Sequence, residues 1–237
     1  MPQSSPTASP DSLFLNLVHA IISDDGSKVA ELVNVSPALL REQAAVGATR
    51  HESDDYFLEA IAHYMYAGDT ALHIAAAGFR HEIVQALLDR GADHSVRNRR
   101  GAQPLHYAAD SNVWKPAAQV ATIDRLIRAG ADPNATDNSG VSPLHRAVRT
   151  RCAAAVQALL AGGAAPRGRN KSGSTPLHLA VQNTGRGDSG APHATEQQRQ
   201  IIELLLRAGA SPDDKNEKGK TVRDSATAGW MHALLQH

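Results

Sequence analysis

The chain has 237 residues, 42% hydrophobic and 20% charged, a composition typical of a folded protein rather than a disordered one. Its formal net charge is zero, so the overall balance gives no indication of a nucleic-acid partner. The single cysteine excludes a disulfide within the chain and fits a reducing compartment. Aromatic residues make up only 4%. We therefore expect a core of small and aliphatic side chains between closely packed helices.

The first eleven residues are rich in proline and serine, and we expect them to form a disordered tail. They lack the basic and apolar regions of a secretory signal. No apolar run in the sequence approaches the roughly 20 residues that span a bilayer. The sequence therefore predicts a soluble cytoplasmic protein without a membrane partner. In residues 12–42, Leu17 and Leu32 fall at the offsets of the repeat described below, so this segment is interpreted as a degenerate N-terminal cap.

Residues 43–66 form an insertion that concentrates aromatic side chains. It holds four of the nine aromatic residues of the chain: Tyr56, Phe57, Tyr64 and Tyr66. Large aromatic side chains dominate binding hot spots. Two interpretations remain open, namely that these residues close the joint between the cap and the first full repeat, or that they form a binding surface. Self-association through this insertion, or near Trp114, is a further alternative.

From residue 67 to residue 218 one motif occurs four times, in copies that we number repeats one to four. The copies are TALHIAAA at Thr70, QPLHYAAD at Gln103, SPLHRAVR at Ser142 and STPLHLAV at Ser174. Their leucines are Leu72, Leu105, Leu144 and Leu177, separated by 33, 39 and 33 residues. A period of 33, lengthened once by six residues, indicates a stack of similar units.

Each copy predicts a helix, a turn, a second helix and a loop. A hydroxyl residue such as Thr70 suits the start of the first helix, and proline follows it in most copies at a position that tolerates it. The second helix has one apolar stripe, as in HEIVQALLDR, and ends at a glycine such as Gly91. The polar segment that follows predicts a projecting loop. Since neither helix can bury its stripe alone, we expect the units to stack.

This pattern resembles the ankyrin repeat in its period of 33, its T-P-L-H-x-A signature and the Gly-Ala-Asp after the second helix. The resemblance covers residues 12–237 as one domain. It implies an all-α solenoid of helix-turn-helix units whose loops form β-hairpin fingers, capped at both ends. Residues 219–237 lack the Leu-His pair and suit a polar C-terminal cap. Insertions lengthen repeat two at 111–121 and repeat four at 184–197.

Four histidines share one phase of the repeat: His73, His106, His145 and His178. Packed helices lie roughly 8 to 10 Å apart, too far for one zinc with bonds of ~2 Å to join two of them. The resemblance instead implies a structural role, in which each imidazole ties a first helix to a neighbouring finger. The other histidines have no metal-binding spacing, so we expect no metal and no other cofactor.

The charges are unevenly distributed along the sequence. Residues 1–66 hold nine acidic and three basic side chains, a net charge of −6, whereas the remainder holds fifteen and twenty-one, a net charge of +6. Several of the basic residues lie on the predicted fingers: Arg97, Arg99, Arg100, Arg169 and Lys171. Aligned fingers would form a basic stripe that steers an acidic partner towards the protein. The alternative is a solvated face without a partner.

The resemblance implies protein binding and no enzyme chemistry. In this family the contacts lie at the finger tips and at the exposed ends of the first helices. On this sequence those positions are Arg99, Arg100, Ala102, Asp110 and Ser111 in repeat two, Asn138, Ser139, Val141, Arg149 and Thr150 in repeat three, and Lys171, Ser172, Ser174, Gln182 and Asn183 in repeat four. We expect a monomeric, non-catalytic module that binds another protein in its concave groove. The alternatives are a homo-oligomer and an enzyme or small-ligand binder, for which the sequence offers no acid/base pair or phosphate loop.

Overall fold

The structure, a computed structural model, describes residues 10–49, 53–110, 113–182 and 194–236. Within these ranges twelve α-helices follow one another as six consecutive pairs. The helices are α1 (Pro10–Ile22), α2 (Gly26–Val35), α3 (Ala71–Ala77), α4 (His81–Asp89), α5 (Pro104–Ala109), α6 (Pro116–Arg128), α7 (Pro143–Arg149), α8 (Ala153–Ala161), α9 (Pro176–Ala180), α10 (Ala194–Arg207), α11 (Val222–Ser225) and α12 (Gly229–Leu235).

The pairs stack in two layers. The first helices of successive pairs pack against one another, from α1 through α3, α5, α7 and α9 to α11, and the second helices from α2 to α12 pack in the same way. The hydrophobic core runs between the layers, where the four motif leucines are almost completely buried. The expected all-α repeat solenoid is confirmed.

Local sequence explains where the first helices begin. The residues before α3, α5, α7 and α9 have extended backbone, and proline occupies the first turn of the last three of these helices. Every residue of α3 is buried, and four of its seven residues are alanine. Such small side chains allow α1 and α5 to pack closely on both sides of α3.

The loop after each second helix of the repeats folds back as a finger. In each finger one backbone N–H donates to the carbonyl four residues later, at 2.9 Å from Asp137 to Val141 and at 3.1 Å from Asn170 to Ser174. The side chain of the same residue accepts from the N–H groups two and four residues later. A β-bridge within a finger is formed between Lys215 and Thr221.

Hydrogen bonds also join successive fingers. The backbone N–H of Asn138 donates to the carbonyl of Arg100 at 2.9 Å, and that of Lys171 donates to Ser139 at 3.0 Å. A further bond, from Glu217 to Ser172, continues the series at 3.1 Å. The fingers therefore form one continuous edge rather than independent loops.

Residues 53–66, which we call the aromatic hairpin, lie between the first pair of helices and repeat one. The strands β1 (Phe57–Leu58) and β2 (His63–Tyr64) pair antiparallel, with Phe57 opposite Tyr64. The chain on either side is fixed by backbone bonds of 2.8 Å from Ala48 to Met65 and from Ala44 to Asp69. These bonds hold the hairpin beside the first helices of the repeats.

Candidate binding cleft

A cleft of about 540 Å³ separates the aromatic hairpin from repeats two and three. Phe57, His63 and Tyr64 line it from the hairpin. The helices α5 and α7, the residue after α5 and two fingers supply its polar wall, which consists of Tyr107, Asp110, Arg146, Arg149, Arg100, Asp137 and Ser139. The cleft therefore combines aromatic rings on one side with charged side chains on the other.

A buried arginine organises the charged wall. Arg146 donates to Asp137 at 3.0 Å and to Asp110 at 3.4 Å, and its own side chain is only 8% exposed. Arg149 also donates to Asp110, at 3.1 Å. Burial raises the pKa of Asp137, but hydrogen bonds from Ser139 and Arg146 outweigh this and hold the pKa below its ordinary value. Asp137 is therefore ionised at neutral pH and pairs with the arginine.

A second carboxyl group lies behind this wall. Asp69 is fully buried and accepts from the backbone N–H of Tyr66 at 2.7 Å, from Asn98 Nδ2 at 2.8 Å and from the Tyr107 hydroxyl at 2.8 Å. Burial raises the pKa of Asp69 to about 6. The ring of His63 lies 4.5 Å from that of Tyr107, and burial lowers the pKa of His63, so this imidazole is neutral near pH 7.

Three polar atoms of the charged wall have no hydrogen-bond partner in the protein. They are Asp110 Oδ1, Arg146 Nε and Arg149 Nε. The described residues contain only two other buried side-chain nitrogen or oxygen atoms in this condition, in Arg80 and His94. Since buried polar groups are normally paired, their concentration here distinguishes the cleft from the rest of the fold.

The four motif histidines, by contrast, have complete sets of partners. Each Nδ1 accepts from the backbone N–H three residues earlier, at 3.1 to 3.3 Å. Each Nε2 bonds a carbonyl of the next unit: His73 to Ala102, His106 to Val141, His145 to Ser174 and His178 to Lys220, at 3.1 to 3.3 Å. Because an amide can only donate, Nδ1 must be the unprotonated nitrogen and Nε2 the donor. These bonds link each first helix to the following finger.

The family model described as ankyrin repeats (3 copies) matches residues 37–115 and 115–216, well over half of the chain. The chain belongs to the ankyrin repeat family. A search of curated proteins found no match. Ankyrin repeats are generally protein-protein interaction modules and generally non-catalytic. In the described part of the chain, no helix is long and apolar enough to cross a membrane, and no group of ligating side chains is arranged to hold a metal ion.

The partner-binding positions named from the sequence, from the family contacts and from the basic fingers, differ in accessibility. Arg97, Arg99, Arg100, Asn138, Ser139, Arg169, Lys171 and Ser172 are exposed, whereas Asp110, Val141, Arg149 and Gln182 are half-buried. Ala102, Thr150 and Ser174 are buried, and the carbonyls of Ala102 and Ser174 accept the histidine bonds described above. Ser111 and Asn183 lie outside the described residues. The cleft brings together Arg100, Ala102, Asp110, Ser139, Val141 and Arg149.

Several finger arginines are used within the solenoid. Arg97 donates to the carbonyl of Thr136 at 2.7 Å, Arg99 to that of Ala48, and Arg169 to that of Lys215 at 2.6 Å. Arg167 forms two bonds to the carboxylate of Asp214, at 2.5 and 3.0 Å. A basic finger residue is therefore not automatically available to a partner.

The sequence analysis did not select Arg146, which is central to the cleft. At the same phase the other repeats have Ile74, Tyr107 and Leu179, so a charged residue in repeat three breaks an otherwise apolar or aromatic series. Asp137 likewise stands where the other fingers have asparagine. Comparing the repeats position by position, rather than looking for shared motifs alone, would have identified both residues.

Proposed function

We propose that this ankyrin domain binds another protein on the side of the solenoid formed by its first helices and fingers, with the cleft at the centre of the interface. The observation that carries this proposal is the cleft itself. It combines a partly exposed aromatic side chain, Phe57, with arginines that face the same space. Aromatic residues and arginine are the side chains that contribute most to binding hot spots.

The rigidity of this surface supports the same function. The fingers are bonded to one another through their backbones, and the first helix of each of the four repeats is bonded to the following finger through its histidine. A partner would therefore meet a surface that is already ordered. Little conformational entropy would be lost on binding, so more of the interaction energy would appear as affinity.

The test is an affinity capture of cell proteins with a double charge reversal. Arg100 and Lys171 are exposed on the fingers, and replacing both with glutamate should abolish the capture of an acidic partner. The matched control is Arg90→Glu with Arg128→Glu, which reverses two exposed charges at the ends of the second helices α4 and α6. Captured proteins are quantified by mass spectrometry.

We expect that the unmodified chain and the control variant both capture one particular protein. The finger variant should not capture it. Equal capture by both variants, or no specific capture by the unmodified chain, would contradict the proposal. Light scattering at several protein concentrations tests the monomeric state that we assign to the module. A dimer that dissociates when the aromatic hairpin is altered would instead support the homo-oligomeric alternative.

A further inference from the structure

We infer that the cleft recognises a carboxylate-bearing segment of the partner, in which an acidic side chain enters beside an apolar one. This inference rests on the proposed function and adds the chemistry of the ligand. It concerns the cleft between the aromatic hairpin and repeats two and three, whose lining breaks the regular pattern of the repeats.

Among the side chains that line the cleft, positive charge is in excess; Asp69 lies behind Tyr107 and is not one of them. The lining contains Arg100, Arg146 and Arg149 against two carboxylates, Asp110 and Asp137, and therefore carries a net charge of +1. Arg146 bridges both carboxylates and is nearly buried. The remaining positive charge lies on Arg100 and Arg149, the two arginines that solvent reaches. Of these, Arg100 forms no ion pair with any described residue.

Arg100 is held in a definite position. The carbon of its guanidinium group lies 4.7 Å from the centroid of the Tyr66 ring, a cation–π distance. A cation–π contact does not use up the N–H donors of a guanidinium group, which can bind a carboxylate through two parallel bonds. The side chain of Arg149 is 42% exposed and donates one ion-pair bond, to Asp110, so it also retains free donors.

The opposite wall suits an apolar side chain. The rings of Phe57 and Tyr64 lie 4.8 Å apart, and Phe57 is 38% exposed. A ligand that paired its acid with the arginines would thus place its neighbouring side chain against these rings. A basic ligand is disfavoured because the exposed charged groups are cationic and because each carboxylate already has an ion pair, which leaves Oδ1 of Asp110 as the one acceptor of the two without a partner.

The experiment uses two pools of fluorescently labelled nine-residue peptides, randomised except at the centre. One pool has glutamate there, and the other has glutamine. Binding to the full chain is measured by fluorescence anisotropy, with inorganic phosphate alone as a competitor. We expect the glutamate pool to bind at least tenfold more tightly than the glutamine pool, with an affinity that falls as salt is added.

Three variants locate the site. Arg100→Gln and Arg149→Gln should each weaken binding of the glutamate pool about tenfold, the usual scale for one charge-assisted pair. Arg128→Gln removes an exposed charge from the end of α6 and should leave binding unchanged. Arg149→Lys keeps the charge and should bind more tightly than Arg149→Gln. Melting temperatures of all variants establish that the fold is retained.

The inference would be overturned if the two pools bound equally well or if neither pool bound. It would also be overturned if the Arg100→Gln and Arg149→Gln variants bound the glutamate pool as tightly as the unmodified chain. Competition by millimolar phosphate as effective as that by the peptides would also overturn it, since it would indicate a site for small anions. The affinity capture described above remains independent. In one outcome, the finger charge reversal abolishes capture of the partner while the glutamate and glutamine pools bind equally well. That combination would support the proposed function and contradict this inference.

Discussion

The repeated scaffold and the cleft use buried polar groups in different ways. In the scaffold the same bonds recur in each of the four repeats, where a histidine joins an amide and a carbonyl. In the cleft, Arg146, Asp137 and Asp110 occur once, and three of the polar atoms around them have no partner in the protein. The polar residues that recur in the repeats thus hold the stacked units together. The polar residues that occur only once are not needed for stacking.

This difference matters because a buried ion pair is weak evidence for stability. Removing a charge from water is so costly that a well-packed apolar residue is often at least as stabilising. Repeat four has no charged residues at these two positions. Leu179 stands at the position that corresponds to Arg146, and Asn170 at the position that corresponds to Asp137. The ion pair in repeat three is therefore not needed to build an ankyrin unit, which supports its assignment to binding.

The largest expected effect comes from converting repeat three to the pattern of repeat four. Arg146→Leu alone leaves Asp137 buried beside an apolar side chain and should lower the free energy of unfolding by about 3 kcal/mol or more. Adding Asp137→Asn removes the stranded charge while keeping the oxygen that accepts the finger N–H groups. The double variant should recover most of the loss in urea unfolding. A double variant as unstable as the single one would show that the pair is part of the scaffold.

The fingers provide the second test. Gly140 and Gly219 have nearly identical backbone angles, φ +72° and +73°. A Cβ on Gly140 would lie 2.8 Å from the backbone nitrogen of Lys171 in the next finger, whereas one on Gly219 would meet nothing within 4 Å. Alanine should cost about 1 kcal/mol at Gly219, from the left-handed backbone alone, and about 2 to 3 kcal/mol at Gly140. Equal losses in urea unfolding would mean that finger stacking contributes little.

Acid should destabilise the scaffold through its histidines. Burial lowers the pKa of His73 to about 4 and that of His106 to about 3, below the unfolded value near 6.5. The unfolded chain therefore takes up protons first, and stability that is complete above pH 6.5 is lost as the pH falls towards 4. Asp69 acts in the opposite direction, because its folded pKa of about 6 lies above the unfolded value near 3.9.

Two histidines outweigh one carboxyl group, so we expect a net loss of about 2 kcal/mol in the free energy of unfolding between pH 7 and pH 5. Urea titrations at half-unit pH intervals measure it. His106→Asn lacks one titrating group and should show a pH slope smaller by about 1.2 kcal/mol per pH unit between pH 5 and 6. An unchanged slope would exclude His106 as a source of the acid sensitivity.

Much of the fold could be predicted from the sequence because stacked units need the same residue types at the same positions of each repeat. The residues that start the helices, the glycines that end them and the motif histidines recur at the same positions of several repeats. Each copy therefore supports the structure predicted for the others. The cleft could not be predicted in this way. It depends on where the aromatic hairpin lies relative to repeat two, through contacts such as His63 with Tyr107 and Tyr66 with Arg100 that have no repeating counterpart. Exposure was also misjudged at Thr150 and Ser174, which lie at element ends and are nonetheless buried.

The smallest expected effect concerns an ion pair outside the cleft. Arg125 and Glu82 join the neighbouring helices α4 and α6 at 2.6 Å, a shorter distance than either bond of Arg146. Glu82 is nevertheless 74% exposed. Because water already solvates both charges and salt screens them, Glu82→Gln should change the free energy of unfolding by less than about 1 kcal/mol, and by less still in 0.5 M salt. If Glu82→Gln lowered the free energy of unfolding as much as Arg146→Leu does, distance rather than burial would determine the strength of ion pairs in this protein. The contrast between scaffold and cleft would then lose its energetic basis.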